Sequence, residues 1–114
     1  MAEGPVLGER RQQMVAACEA VDGLGAELWR AGSVELAQMM GEADRMVAAG
    51  EAARVAVLAE VMSRGEIGSG PQASSPVQWV RQHAPSTGAG GAAQVVAVAA
   101  AFAVPGRAAG KDAV

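Results

Sequence analysis

From Leu36 onward the apolar residues of this chain return at steps of three and four: Leu36, Met39, Met40, Ala43, Met46, Val47, Gly50, Ala53, Val57, Val61 and Met62. That is the repeat of one helical face. No proline interrupts residues 34–64, so the spacing predicts one amphipathic helix there, about 45 Å long at 1.5 Å per residue. Glu35, Glu42, Asp44, Arg45, Glu51, Arg54, Glu60 and Arg64 lie off the stripe, and a solvated face is the expectation for them. Upstream, Leu7, Met14, Val15, Cys18, Val21, Leu28 and Trp29 fit one face of a helix from Leu7 to about Arg30 after a loose start, with Gly23 and Gly25 weakening or breaking it. Gly32 suits a left-handed helix end and Ser33 a cap for the next helix. A helix as long as 34–64 cannot bury its stripe alone, so it is expected to pair with the first helix as a hairpin or with another copy of itself.

Residues 65–74 turn to Gly, Ser and Pro and read as a flexible linker. Ser75-Pro76 then starts a short helix, with Ser as N-cap and Pro at the first helical position. Val77, Trp79, Val80 and His83 continue that helix, Pro85 ends it, and Ser86-Thr87-Gly88 supplies a turn. Ala89–Phe102 resumes helix until Pro105-Gly106. The expected fold is all-α: a long helical hairpin over 1–64, the linker, a short helix-turn-helix-like pair over 75–106, and a disordered or truncated tail over 107–114.

Composition sharpens this picture. Of the apolar residues 27 are Ala, against 15 Val, 5 Leu, 1 Phe and 1 Ile, which favours helix and leaves a small core. Cys18 is alone and so forms no internal disulfide, and its place in a helical run predicts a buried packing role; a reducing cytoplasm is the simplest compartment. Ala84–Gly106 carries no charge, but its apolar heart, Ala92–Val104, is 13 residues long, short of the roughly 20 that span a bilayer. No membrane partner is expected.

Candidate chemistry is sparse. One histidine and one cysteine, far apart, do not make a metal site. Ser74, Ser75, Ser86 and Thr87 near His83 read as capping and turn residues rather than a hydrolase dyad. Gly88, Gly90 and Gly91 precede a helix, but no strand leads into them and no nucleotide-binding fingerprint follows. We therefore expect no catalytic residue, metal, cofactor or small-molecule substrate on this chain. A net charge of −3 leaves any DNA contact local. Its candidates are Arg64, Arg81, Gln82, His83, Gln94 and Arg107. For a partner surface, above all a homodimer, the candidates are Leu36, Met39, Met40, Met46, Val47, Val57, Val61 and Met62.

The run SSPVQWVRQHAPSTGAGGAAQVVAVAAAFAVPG resembles the helix-turn-helix-like segment of the domain of unknown function 222 family, also called the 13E12 repeat family, of high-GC actinobacteria. Ser75, Trp79 and Val80 match its first helix, Ala92, Ala93, Val95, Val96 and Ala99 its second, and Phe102 to Gly106 its stop. LAQMMGEADRMVAAGEAARVAVLAEVMSRGEI looks like the long helix that precedes this segment in the family. The resemblance implies a role near DNA, as the N-terminal part of a protein that continues into an HNH nuclease module, absent here. Family members often carry several arginines on the second helix; this chain has none between Arg81 and Arg107. The leading expectation is a non-catalytic interaction or positioning domain of such an HNH-endonuclease-associated protein, with double-stranded DNA reached through the parent protein. A DNA-binding helix-turn-helix module and an exported or surface-associated helical hairpin stand as alternatives.

Overall fold

A computed structural model describes residues 3–67 and 75–103, and among these the chain is all-α, with no strand. Helix α1 spans Glu3–Val21, α2 Ser33–Ser63, α3 Pro76–His83 and α4 Gly88–Phe102; short 3-10 helices cover Leu24–Arg30 and Pro85–Thr87. The chain divides into two compact units, residues 1–43 and 44–114.

In the first unit helix begins at Glu3 rather than after a loose start. Pro5 is tolerated there because first-turn N–H groups have no carbonyl to meet. Helix α1 stops at Val21, and Gly23, at φ 75°, makes the turn into the 3-10 helix. The break expected at the glycines thus takes a left-handed residue, a conformation open to Gly at little cost. Each side chain described on α1 is exposed, from Val6 through Val21. The apolar arc of Leu7, Met14, Cys18 and Val21 is shared, at about 100° per residue, with Arg10 and Arg11, so α1 has no purely apolar side. Cys18 is exposed, contrary to the buried role its neighbours suggested. Trp29 is also exposed, with the Arg30 guanidinium 5.3 Å from its ring centroid. Gly32 does not take the left-handed cap expected of it. Its carbonyl accepts from the Leu36 N–H at 2.9 Å, so Gly32, not Ser33, holds the cap position of α2.

In the second unit the end of α2 is fastened by Gly65 at φ 70°. The Gly65 N–H donates to the Met62 carbonyl at 3.0 Å and the Glu66 N–H to the Val61 carbonyl at 3.3 Å. This pair of bonds is a Schellman motif, which satisfies carbonyls that a helix end leaves open. Ile67, just past the turn, packs on the buried cluster. At the start of α3 a full capping box forms: Ser75 Oγ accepts from the Gln78 N–H at 3.1 Å, and Gln78 Oε1 accepts from the Ser75 N–H at 3.3 Å, with Pro76 next. The linker residues 68–74, Pro105-Gly106 and the tail 107–114 lie outside the described residues.

The core of this unit is Leu58, Ala59, Val80, Ala92 and Ala99, with Val55, Met62, Val77, Trp79, Val95 and Val96 packed around it. Leu58, at 1% exposure, is its one large fully buried side chain. Ala92 and Ala99, seven residues apart on one side of α4, are wholly buried. Their small side chains set α4 close against α3 and leave little volume for heavier groups.

Candidate functional site

Two features of the second unit carry chemistry, and both are consequences of how α2 uses its circumference. Val55, Leu58, Ala59 and Met62 face the core. Met46, Val47, Gly50, Val57 and Val61 lie roughly a third of a turn away at about 100° per residue. On that second arc Met46, Val47 and Val57 are exposed, the last two at 60% and 53%. Val61 is half-buried and lines a shallow groove with Ala56, Val57, Glu60, Arg64 and Glu66. Of the candidate partner residues, Met62 belongs instead to the core side. In the first unit Leu36 and Met40 are exposed, and Met39 is half-buried. The stripe read from spacing therefore mixed an outer arc with Met62 and missed Val55 and Leu58, which follow the same three-and-four rhythm one register over.

The second feature is a cleft of ≈ 400 Å³ lined by Glu51, Arg54 and Val55 of α2, Ser86 and Thr87 of the turn, and Gly91, Gln94, Val95 and Val98 of α4. The Arg54 guanidinium donates from Nη2 to Ser86 Oγ at 2.6 Å, joining residues 32 apart in sequence. Thr87 Oγ1 donates to the Ala84 carbonyl at 2.8 Å, which holds the turn below Gly88. Three residues before Arg54, Glu51 makes no ion pair or hydrogen bond among the described residues. Glu51 is exposed, as expected of a solvated face, and Arg54 is half-buried; both border this cleft. A charge pattern alone does not separate the two, since the distinction depends on Ser86 arriving from beyond the linker.

The candidate DNA contacts are dispersed. Arg64 is exposed but ion-paired with Glu60 at 2.9 Å and Glu66 at 3.9 Å, and the Glu60 hydrogen bond and charge hold its guanidinium above the ordinary arginine range. Arg81, Gln82 and His83 are exposed together in the last turn of α3. The His83 ring lies 4.6 Å from that of Trp79, tilted by 48°. Trp79 packs on the core through its other contacts, as its spacing with Val80 suggested. Gln94 lines the cleft, and Arg107 lies outside the described residues. Apart from Gln94, the exposed positions of α4 from Ala93 to Phe102 are Ala, Val and Phe. Among the described residues no group of three or more His, Cys, Asp and Glu is placed to hold a metal ion, and no helix is long and apolar enough to cross a membrane.

No family model, curated protein or solved structure matches the chain.

Proposed function

We propose that the chain is a non-catalytic helical interaction domain that associates with a second copy of itself through the outer arc of α2. The exposure of Met46, Val47 and Val57, on a helix whose other side already serves the core, is the observation that supports this reading. An exposed apolar face on a helix marks an interaction site where it is covered by a partner. Magnitudes put the association in a weak regime. Covering Met46, Val47 and Val57 on both copies buries six side chains that are already about half covered, which contributes roughly 5–9 kcal/mol at about 1.5–3 kcal/mol for a fully exposed one, and association costs about 4–15 kcal/mol.

The resemblance to the domain of unknown function 222 family gives this association a purpose: pairing two copies would position a downstream HNH nuclease module. That role rests on the resemblance, whereas self-association rests on α2. Light scattering at tens of micromolar tests the latter. The expected average mass exceeds that of the 11.4 kDa chain and climbs toward twice it as the concentration is raised, falling to the single-chain value in a Val47→Glu, Val57→Glu double variant with an unchanged helical signal. A wild-type chain of single mass at these concentrations overturns the proposal.

A further inference from the structure

We propose that the cleft between α2 and α4 binds a small aliphatic zwitterion of the amino-acid class, with its carboxylate on Arg54, its ammonium on Glu51 and its side chain against Val55, Val95 and Val98. The cleft's ≈ 400 Å³ falls in the range of small-molecule sites, about 300–1,000 Å³, and its lining is mixed, with Glu51, Arg54, Ser86, Thr87 and Gln94 beside Val55, Val95 and Val98.

The charges select the ligand. Glu51 and Arg54 stand three residues apart on one helix, where Cβ atoms are about 5–6 Å apart and opposite charges ordinarily pair. Here they do not: among the described residues no ion pair joins them, and neither has another ion-pair partner. Arg54 is drawn instead toward Ser86 Oγ, a neutral acceptor, so its charge is left uncompensated. A simple anion would meet Arg54 but be repelled by Glu51, and a simple cation would suffer the reverse. A molecule with both signs on neighbouring atoms satisfies the two residues together. Charge-assisted hydrogen bonds to a guanidinium and a carboxylate are the stronger kind, and Gln94 adds an amide with both donor and acceptor atoms. The three valines then favour a branched aliphatic side chain over a polar one. An open site of this size, with a ligand of few atoms, sets the expected dissociation constant at about a millimolar.

The test is nuclear magnetic resonance titration of the full isotope-labelled chain with three probes of one carbon skeleton: L-leucine, isocaproate, which lacks the amine, and isoamylamine, which lacks the carboxylate. Saturable shifts of the Gly91 backbone amide and the Gln94 side-chain amide are expected with L-leucine, and at least tenfold weaker binding of the other two. Glu51→Gln should weaken L-leucine about tenfold while leaving isocaproate as tight or tighter; Arg54→Gln should weaken L-leucine about tenfold and spare isoamylamine. Glu51 makes no hydrogen bond or ion pair among the described residues, so its variant keeps the test valid if Arg54→Gln unfolds the chain. Absence of saturable shifts at tens of millimolar L-leucine, equal affinity for all three probes, or L-leucine binding unchanged in Glu51→Gln each overturns the proposal. A Val47→Ser, Val57→Ser variant, which places no new charge beside Arg54, should bind L-leucine normally, which separates this site from self-association.

Discussion

At the scale of single residues, the second unit depends on very few side chains. Among the described residues Leu58 is the large one that is fully buried, and alanines make up most of the rest of the core. Leu58→Ala should therefore cost about 2–5 kcal/mol, the transfer loss plus the cavity left behind. Against a stability of roughly 5–15 kcal/mol for a whole domain, that is enough to lower the urea midpoint sharply; a shift of the size seen for exposed substitutions would show that Leu58 is not the centre of the core. Ser75 gives a smaller, cleaner case. Its hydroxyl caps α3 and its N–H is met by Gln78. Replacing it with Ala should cost about 1 kcal/mol. Ser75→Asp, which keeps an acceptor at the same place and adds a favourable charge at a helix start, should recover most of the loss in the same urea titration. Equal losses in both variants would assign the effect to something other than capping. Arg64, by contrast, offers no such handle: it is exposed, and a guanidinium pushed above its ordinary range stays charged at any pH a protein survives.

At the scale of elements, local chemistry was legible and circumference was not. Ser75-Pro76 specifies the start of α3, and Pro85 its end, because each acts through its own backbone and nearest neighbours. The α2 helix runs within a residue of the boundaries its spacing predicts, 33–63 against 34–64. The side of α2 that is buried was misjudged because two arcs, Met46-Val57-Val61 and Val55-Leu58-Met62, satisfy the same three-and-four rhythm. Only the position of Val80, Ala92 and Ala99 decides between them. The cleft was invisible for a related reason: Arg54 and Ser86 meet across 32 residues, and no spacing rule connects them. The left-handed stop was assigned to Gly32 but falls at Gly65, where Met62 and Val61 carbonyls are available to receive the turn's N–H groups. These two kinds of glycine can be told apart by experiment. A Cβ added at Gly65 or at Gly41 meets nothing within 4 Å, so packing is not at issue at either. Gly65→Ala should destabilise by about 1–2 kcal/mol, the cost of a left-handed L-residue, whereas Gly41→Ala, inside α2 with ordinary helical backbone, should stabilise by about 0.5–1 kcal/mol. Thermal melts followed by the helical signal would show opposite shifts; shifts of the same sign would contradict the assigned backbone at one of the two sites.

At the scale of the molecule, charge decides between partners. The chain carries −3 overall, with 9 Lys and Arg against 12 Asp and Glu. A duplex binder needs cations gathered on one face, since each neutralised phosphate releases counterions and supplies most of the non-specific affinity. Here Arg64 is neutralised by Glu60 and Glu66, Arg54 sits in the cleft, and α4 offers Gln94 among Ala, Val and Phe. Among the described residues of the second unit, the last turn of α3, with Arg81, Gln82 and His83, is where polar groups suited to phosphate stand together. Two ionic groups at most give a log-log salt slope of about −2, against roughly −5 to −9 for a protein making 6–10 phosphate contacts at about −0.9 per contact. The isolated chain is accordingly expected to leave the anisotropy of a labelled duplex flat at tens of micromolar protein and low salt. Saturable binding that falls steeply as salt is added would reverse this conclusion, and Arg81→Gln would then show whether α3 carries it. If the anisotropy stays flat while the scattering mass rises with concentration, the apolar arc of α2 and not a charged face defines what this chain binds.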